Sequence, residues 1–411
     1  GASCQGRAAN LPTTTSPSRE MTSTFSDMKR YRVAIVADFY LPQVGGLEVH
    51  MHDLARELTA RGHHADIICV TPGGPDHDDF RVIRLPVPLA PFVQSIRDPK
   101  AIDALEKTLI AGKYDIIHAH NAFSPLAHVA TYLAKKLGIP SIFTLHSVLR
   151  GYGSYLFRAI DQVFPWTQWP TILTGVSSFV AADLKQISGR NDIQVLLNAT
   201  RVTDFPPSSQ QEARVVTVMR CTKRKRPVDF VRMIPEVLAR LPRGLWPKFT
   251  LVGDGPERPR AERIARRLGI SEHIEFTGML SRPAVRDILS RSSVFVLPSY
   301  LEALPIAVIE ARSAGLPVVA RIPNGVAEII DHGINGLLAK NTEELVASVV
   351  TLLKDSMLRT KMALATREDL DRFTWQRSIE RHERIYALAE EKHIIANRSS
   401  PSMSAPAPID R

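Results

Sequence analysis

Short runs of β-branched and apolar residues alternate with amphipathic helical stretches along this chain, and the alternation stops once and then restarts. In the first half the strand-like runs are VAIVA (33–37), ADIICVT (65–71), RVIRLP (81–86), DIIHAH (115–120), SIFTLH (141–146), TILTGVS (171–177) and IQVLLN (193–198). Helical stretches, such as 46–61 and 124–138, separate several of them. Apolar strands alternating with helices predict βαβ units around a buried parallel sheet. The break is the polar stretch Phe205 to Gln211, with Pro206 and Pro207 adjacent, which reads as a linker. The pattern resumes with RVVTVM (214–219), KFTLVG (248–253), HIEFTG (273–278), VFVLP (294–298) and LPVVA (316–320). The expected fold class is α/β, with two doubly wound domains, 29–205 and 206–372, facing across a cleft. Stretches 1–28 and 397–411 read as disordered tails. Ligands in open α/β sheets sit beyond the strand carboxyl ends, so the cleft is the expected site.

At 411 residues the chain has room for the cores of two or three domains. No apolar run approaches the ~18–20 residues of a membrane span, and the Ser- and Thr-rich start lacks the apolar core of a secretory signal. Cys4, Cys69 and Cys221 are widely spaced with no CxxC pair, which argues against a disulfide framework or zinc site and fits a reducing cytoplasm. The net charge of +10 suits a polyanionic ligand, an anionic membrane surface or nucleic acid. Nucleic acid is set aside, because no RNP, helix-turn-helix or zinc-finger pattern accompanies the charge.

Several ordered motifs carry chemistry. Val44-Gly45-Gly46 follows the opening strand and precedes a helix, so the backbone can approach a ligand and the helix can offer amides to an anion. A plain tight turn is the alternative, and a dinucleotide fingerprint is a weak reading because GxGxxG is absent. His118 and His120 share a strand face, a geometry that could bind metal, but no acidic ligand set accompanies them in that half. Arg220 and Lys225, in VMRCTKRKRP, bring a fork of donors and a mobile point charge, a pair suited to a diphosphate. Lys223 and Arg224 beside them read as a solvated basic run. In EALPIAVIE the carboxylates Glu302 and Glu310 flank a loop that enters a helix at about Pro305, where Pro suits a first helical position. The pairs Asp76/Asp78 and Asp369/Asp371 read as solvated carboxylates, in an acidic loop and a charged helix, so no essential metal is expected.

Over roughly residues 30–390 this series resembles the retaining family 4 glycosyltransferases of the GT-B fold, which pair two Rossmann-like domains. Met219, Arg226 and Pro305 stand where that family commonly has a small residue, a glycine and a glycine. The resemblance implies a nucleotide diphosphate sugar as substrate, a UDP-sugar before GDP-mannose, with no cofactor. It places His120 near the reacting sugar, with His146 as a secondary candidate. Arg220 and Lys225 fall on the donor pyrophosphate, Glu302 on the sugar hydroxyls and Glu310 on the ribose. Gly45 and Gly46 lie against the donor phosphates or the acceptor. Gly253, Gly278, Met279, Leu280, Leu304, Pro305, Ile306 and Ala307 complete the implied donor pocket, with the amides of 306 and 307 on the phosphates. From the degenerate Asn198-Ala199-Thr200-Arg201 stretch nothing carries over. In relatives a last helix, here 373–396, crosses back to the first domain.

The runs 38–50 and 120–147 especially resemble the family of catalytic subunits that add N-acetylglucosamine to phosphatidylinositol. The implied sugar is N-acetylglucosamine, glucose or mannose, and the acceptor is a lipid, a saccharide or a small molecule. Six aromatics, Tyr152, Tyr155, Phe157, Phe164, Trp166 and Trp169, are open to three readings: core, acceptor pocket or contact with an anionic membrane. The expected location is cytoplasmic with such peripheral contact. Two other classes use the same pocket: a UDP-sugar epimerase or hydrolase, and a silent nucleotide-sugar binding module.

Overall fold

A computed structural model describes residues 29–399, apart from 44, 75–76, 78, 88–98, 151, 164 and 209–212. The two proposed tails lie outside this range except at 397–399, and Asp76 and Asp78 lie outside it as well.

The first half runs β1 (Arg32–Val36), α1 (Gly46–Ala60), β2 (His64–Cys69), β3 (Arg81–Arg84), α2 (Pro99–Gly112), β4 (Ile116–His120) and α3 (Pro125–Leu137). It continues with β5 (Ser141–Leu145), α4 (Tyr152–Val163), β6 (Ile172–Gly175), α5 (Ser178–Ser188) and β7 (Gln194–Val195). The second half holds β8 (Arg214–Val218), α6 (Pro227–Ala239), β9 (Lys248–Val252), α7 (Arg258–Arg267), β10 (Ile274–Gly278), α8 (Arg282–Arg291) and β11 (Val294–Leu297). After it come α9 (Ile306–Ser313), β12 (Val318–Arg321), β13 (Gly336–Ala339), α10 (Thr342–Lys354), α11 (Ser356–Ala365) and α12 (Trp375–Ser399).

The strands form two parallel sheets, in the orders β3-β2-β1-β4-β5-β6-β7 and β10-β9-β8-β11-β12-β13. This is the α/β, two-Rossmann-domain GT-B architecture, and the described residues from Tyr31 onward form one compact unit containing both sheets. Central strands are buried on both faces: Val33–Val36, Ile116–Ala119 and Val294–Val296 have no exposed surface, as parallel strands covered by helices require.

Three expectations shift. IQVLLN yields only the two-residue β7, and Leu196 after it packs into the core. The last helix runs to Ser399, past the boundary expected at 396. Asp369 lies in a turn at φ 56°, where it pairs with Arg372, and Asp371 pairs with Arg377. Trp375 and Tyr386 of α12 pack into the core of the first sheet, against His50 and Tyr31.

Candidate active site

Both sheets reverse their winding at one place, between β1 and β4 in the first and between β8 and β11 in the second. Crossovers leave such neighbours in opposite directions, which opens a crevice at their carboxyl ends. The ends of these four strands and the segments after them carry Gly45 and Gly46, His120, Arg220 and Lys225, and Glu302 to Pro305.

On the second domain, a short 3₁₀ turn, Lys223–Lys225, aims the Lys225 ammonium at the Glu302 carboxylate. Nζ donates to both oxygens at 2.7 Å, and Glu302 is buried. Arg226 ends that turn at φ 60°, ψ 45°, a left-handed conformation favouring glycine, so the loop keeps its shape at a cost of about 1–2 kcal/mol. Gly253, at φ 126°, lets the end of β9 meet the end of β8, since a Cβ would fall inside contact distance of the Met219 carbonyl oxygen. Its N–H donates to the Gly278 carbonyl at 2.8 Å, so that donor is already engaged. Gly278 is buried, Leu280 is half-buried, and Met279 is exposed.

Pro305 is the residue before α9 and not its first helical residue: its ψ of 110° is extended, and the helix opens at Ile306. Its carbonyl accepts from Val308 at 3.0 Å. The amides of Ile306 and Ala307 have no partner among the described residues, as expected at a helix start. One turn on, the Glu310 side chain has no hydrogen-bond partner among the described residues. Burial pushes its carboxyl up to about 7, opposed by Arg282 and reinforced by Asp53. Leu304 is buried, and its carbonyl accepts from Asn198 Nδ2 at 3.0 Å across the domains.

The opposite wall comes from α1. Gly45 is extended and caps the helix, and its missing side chain leaves room for the Glu48 carboxylate and the Arg220 guanidinium, while Gly46 is exposed with open space beside it. Burial raises the Glu48 carboxyl above its ordinary range, and Arg220 opposes the shift. Arg220 and Lys225 therefore face separate carboxylates rather than each other. Further along α1, buried Asp53 forms a forked pair with Arg282 of α8, at 3.0 and 2.6 Å. This pair bridges the crevice within electrostatic reach of Glu310.

At the floor of the first sheet the histidines form a buried group. His120 Nδ1 is hydrogen-bonded to His146 Nε2 at 2.9 Å, and His120 Nε2 has no partner among the described residues. His118 binds Thr144 Oγ1 at 2.7 Å and the Tyr386 hydroxyl at 3.3 Å, a structural role. His50 stacks on Trp375 and lies 5.3 Å from the His146 ring. Burial holds His118, His120 and His146 well below 6.5, so their imidazoles are neutral. Sequence reading missed Glu48, His50, Asp53, Asn198 and Arg282. Glu48 had a signal in its place in the first turn after the glycine loop, and Asn198 in the degenerate motif from which nothing carries over.

Of the six aromatics, Phe157, Trp166 and Trp169 are core residues, and Tyr155 is prominently exposed. The side chains of Tyr152 and Phe164 lie outside the described residues. Among the described residues no helix is long and apolar enough to cross a membrane, and no three His, Cys, Asp or Glu side chains are grouped to hold a metal.

Residues 44–203 match the Glycosyltransferase Family 4 model, and residues 202–369 match Glycosyl transferases group 1. One subunit of human phosphatidylinositol N-acetylglucosaminyltransferase is 26% identical over 377 residues, covering 87% of this chain and 76% of that protein. Alpha-monoglucosyldiacylglycerol synthase of Acholeplasma laidlawii is 22% identical, covering 80% of this chain and 92% of that protein. Among solved structures, Anabaena HepE in complex with UDP and glucose superposes with a TM-score of 0.72 at 18% identity, covering 87% of this chain and 100% of that one.

Proposed function

The chain belongs to the family 4 glycosyltransferases with the GT-B fold, and from that premise we propose that it transfers a sugar from a UDP-sugar to a hydroxyl acceptor with retention of anomeric configuration. The observation that carries the donor reading is on α9. The amides of Ile306 and Ala307 and, one turn on, the carboxylate of Glu310 have no partner among the described residues. An anion receptor and a hydroxyl acceptor on one short helix fit a nucleotide diphosphate, with phosphates at the amides and ribose at Glu310.

In this reading Arg220, Lys225 and the two amides stabilise the leaving diphosphate as the anomeric C–O bond breaks. The acceptor hydroxyl attacks from the same face and passes its proton to the departing phosphate oxygen. Lys225 already neutralises Glu302, so the pair opens toward the donor, with the ammonium to phosphate and the carboxylate to sugar hydroxyls. His120 serves as a neutral hydrogen-bonding group near the sugar, since burial keeps it uncharged. Relatives named for phosphatidylinositol and diacylglycerol products support a lipid acceptor, and N-acetylglucosamine or glucose as the sugar. Peripheral contact with an anionic membrane, favoured by the net charge of +10, completes that reading.

The direct test incubates the protein with UDP-N-acetylglucosamine, UDP-glucose and GDP-mannose, with phosphatidylinositol or diacylglycerol, and with and without chelator. Acceptor-dependent release of UDP, insensitive to chelator, is expected. Release that never depends on an acceptor would replace transfer by hydrolysis, and loss on chelation restored by Mg²⁺ would overturn metal independence.

Glu310 gives a second prediction. A carboxylate accepts two ribose hydroxyls and its protonated form accepts poorly, so binding releases a proton near pH 7. UDP affinity should rise several-fold from pH 6 to pH 8, and Glu310→Gln should bind more weakly by about 1–3 kcal/mol with a flat pH response. Calorimetry showing equal affinity for both proteins at pH 8 would remove the ribose assignment.

A further inference from the structure

The basic run that the donor reading leaves unused lines a cavity of its own. Behind the turn that carries Lys225, a recess of about 490 Å³ is bordered by Lys223, Arg224, Arg226, Arg232 and Arg260. Its apolar side is Pro227, Val228, Tyr300 and Leu301, and none of the residues given to the donor borders it. We propose that this recess is a second anion site, separate from the donor pocket, that binds a phosphate-bearing ligand.

Charge balance carries the proposal. The two carboxylates of the wall are already engaged, Glu257 with Arg260 at 3.2 Å and Asp229 with Arg321 at 3.9 Å. Lys223, Arg224, Arg226 and Arg232 have no carboxylate partner among the described residues, so the recess holds an excess of positive charge in a concave surface. Such a surface concentrates field lines and raises the local concentration of anions.

A second, independent observation comes from directly behind the wall. Arg321 is fully buried, and one of its nitrogens donates to Thr342 Oγ1 at 2.6 Å while Nε and Nη1 have no partner. Its guanidinium lies 4.3 Å from the centre of the Tyr300 ring, and Arg226 lies 4.9 Å from the same centre. One aromatic thus bears a buried cation with two unmade hydrogen bonds and a cation of the recess. Burying donors without acceptors is costly; Arg321 adds positive potential behind the wall, and an anion in the recess would offset the repulsion among these cations. Arginine forks match the oxygens of a phosphate, and the apolar side can hold the carbon skeleton of a phosphoester. That skeleton belongs either to a lipid headgroup or to a soluble phosphoester.

The experiment uses the full chain and the Arg224→Ala/Arg232→Ala double variant, with UDP present at saturation so that the donor pocket is filled. Soluble inositol hexakisphosphate is titrated by calorimetry, and vesicles of phosphatidylcholine with and without phosphatidic acid are tested by flotation. The wild type should bind at least one probe, and the double variant should bind it more weakly by about tenfold or more. Loss confined to phosphatidic acid vesicles assigns a lipid headgroup, and loss confined to the soluble probe assigns a phosphoester. Loss with both means that the phosphate alone is recognised. UDP affinity, measured first, should be the same in both proteins, so failure of the donor reading shows separately. If the double variant fails to fold, Arg232→Gln replaces it. Equal binding by wild type and variant, no binding of either probe by the wild type, or loss of UDP affinity in a folded variant would overturn the proposal.

Discussion

Turnover should fall by about 10²–10³ when Arg220 is replaced by alanine, the usual loss on removing a donor that stabilises developing charge. Negative charge on the diphosphate grows as the glycosidic bond breaks, so a cation there favours the transition state over bound substrate. Arg220 is exposed beside the glycine loop, and its carboxylate neighbour Glu48 already shifts toward the neutral form. Arg220→Ala should therefore melt close to the wild type. Lys225→Ala should lose as much rate but also stability, up to about 3 kcal/mol, because it strands the buried Glu302 carboxylate. Lys225→Ala/Glu302→Gln should recover the melting temperature without recovering the rate. Near-wild-type turnover by both single variants with any accepted donor would show that the donor lies elsewhere.

Acid should unfold this protein earlier than most. Six buried histidines, His50, His118, His120, His128, His146 and His382, have folded pKa values pushed below 6.5 by burial, to about 4 for His50 and His128 and about 3 for His382. Each binds a proton in the unfolded chain but not in the native one as pH falls below 6.5. Their stabilisation is present above that pH and lost below it. Three carboxylates act in the opposite sense, because burial raises Asp38 to about 6, Glu310 to about 7 and Glu48 by an amount in the same direction. Native protonation of these three offsets part of the histidine effect. With six histidines against at most three carboxylates, the balance is three protons or more, and it costs at least about 4 kcal/mol per pH unit. For a total stability of about 5–10 kcal/mol, in the lower part of the usual range of about 5–15 kcal/mol, unfolding should be reached between about pH 5 and pH 4. Chemical denaturation giving equal stability at about pH 7 and pH 5 would show that these imidazoles are not buried and neutral.

What was legible in the sequence followed local periodicity. Apolar runs marked twelve of the thirteen strands, because a strand buried on both faces must be apolar throughout. The strand at Gly336–Ala339 went unseen, since GLLA follows a turn and is too short to show a pattern. Lys225 and Glu302 were each identifiable from motif spacing, yet nothing local showed that they pair, for 77 residues separate them. The same holds for Asp53 and Arg282, ordinary charges on two amphipathic helices until the domains meet. Pro305 shows the limit in backbone terms: its ring suits either the first helical residue or the one before it, and only ψ distinguishes them.

The helix that closes the first sheet has a consequence for the order of manufacture. Trp375 covers His50, and Tyr386 covers Tyr31 and His118, so residues far apart in the chain complete one core. A chain emerging from the ribosome makes β1 to β7 first, but lacks their lid until the second domain has been synthesised. The nascent first domain must wait with its histidine floor uncovered, while the second, whose strands and helices are contiguous, can consolidate at once. Translation therefore runs from the first domain to the second, whereas folding is sealed in the reverse direction, and a stall before Trp375 leaves the cleft with one wall unfinished.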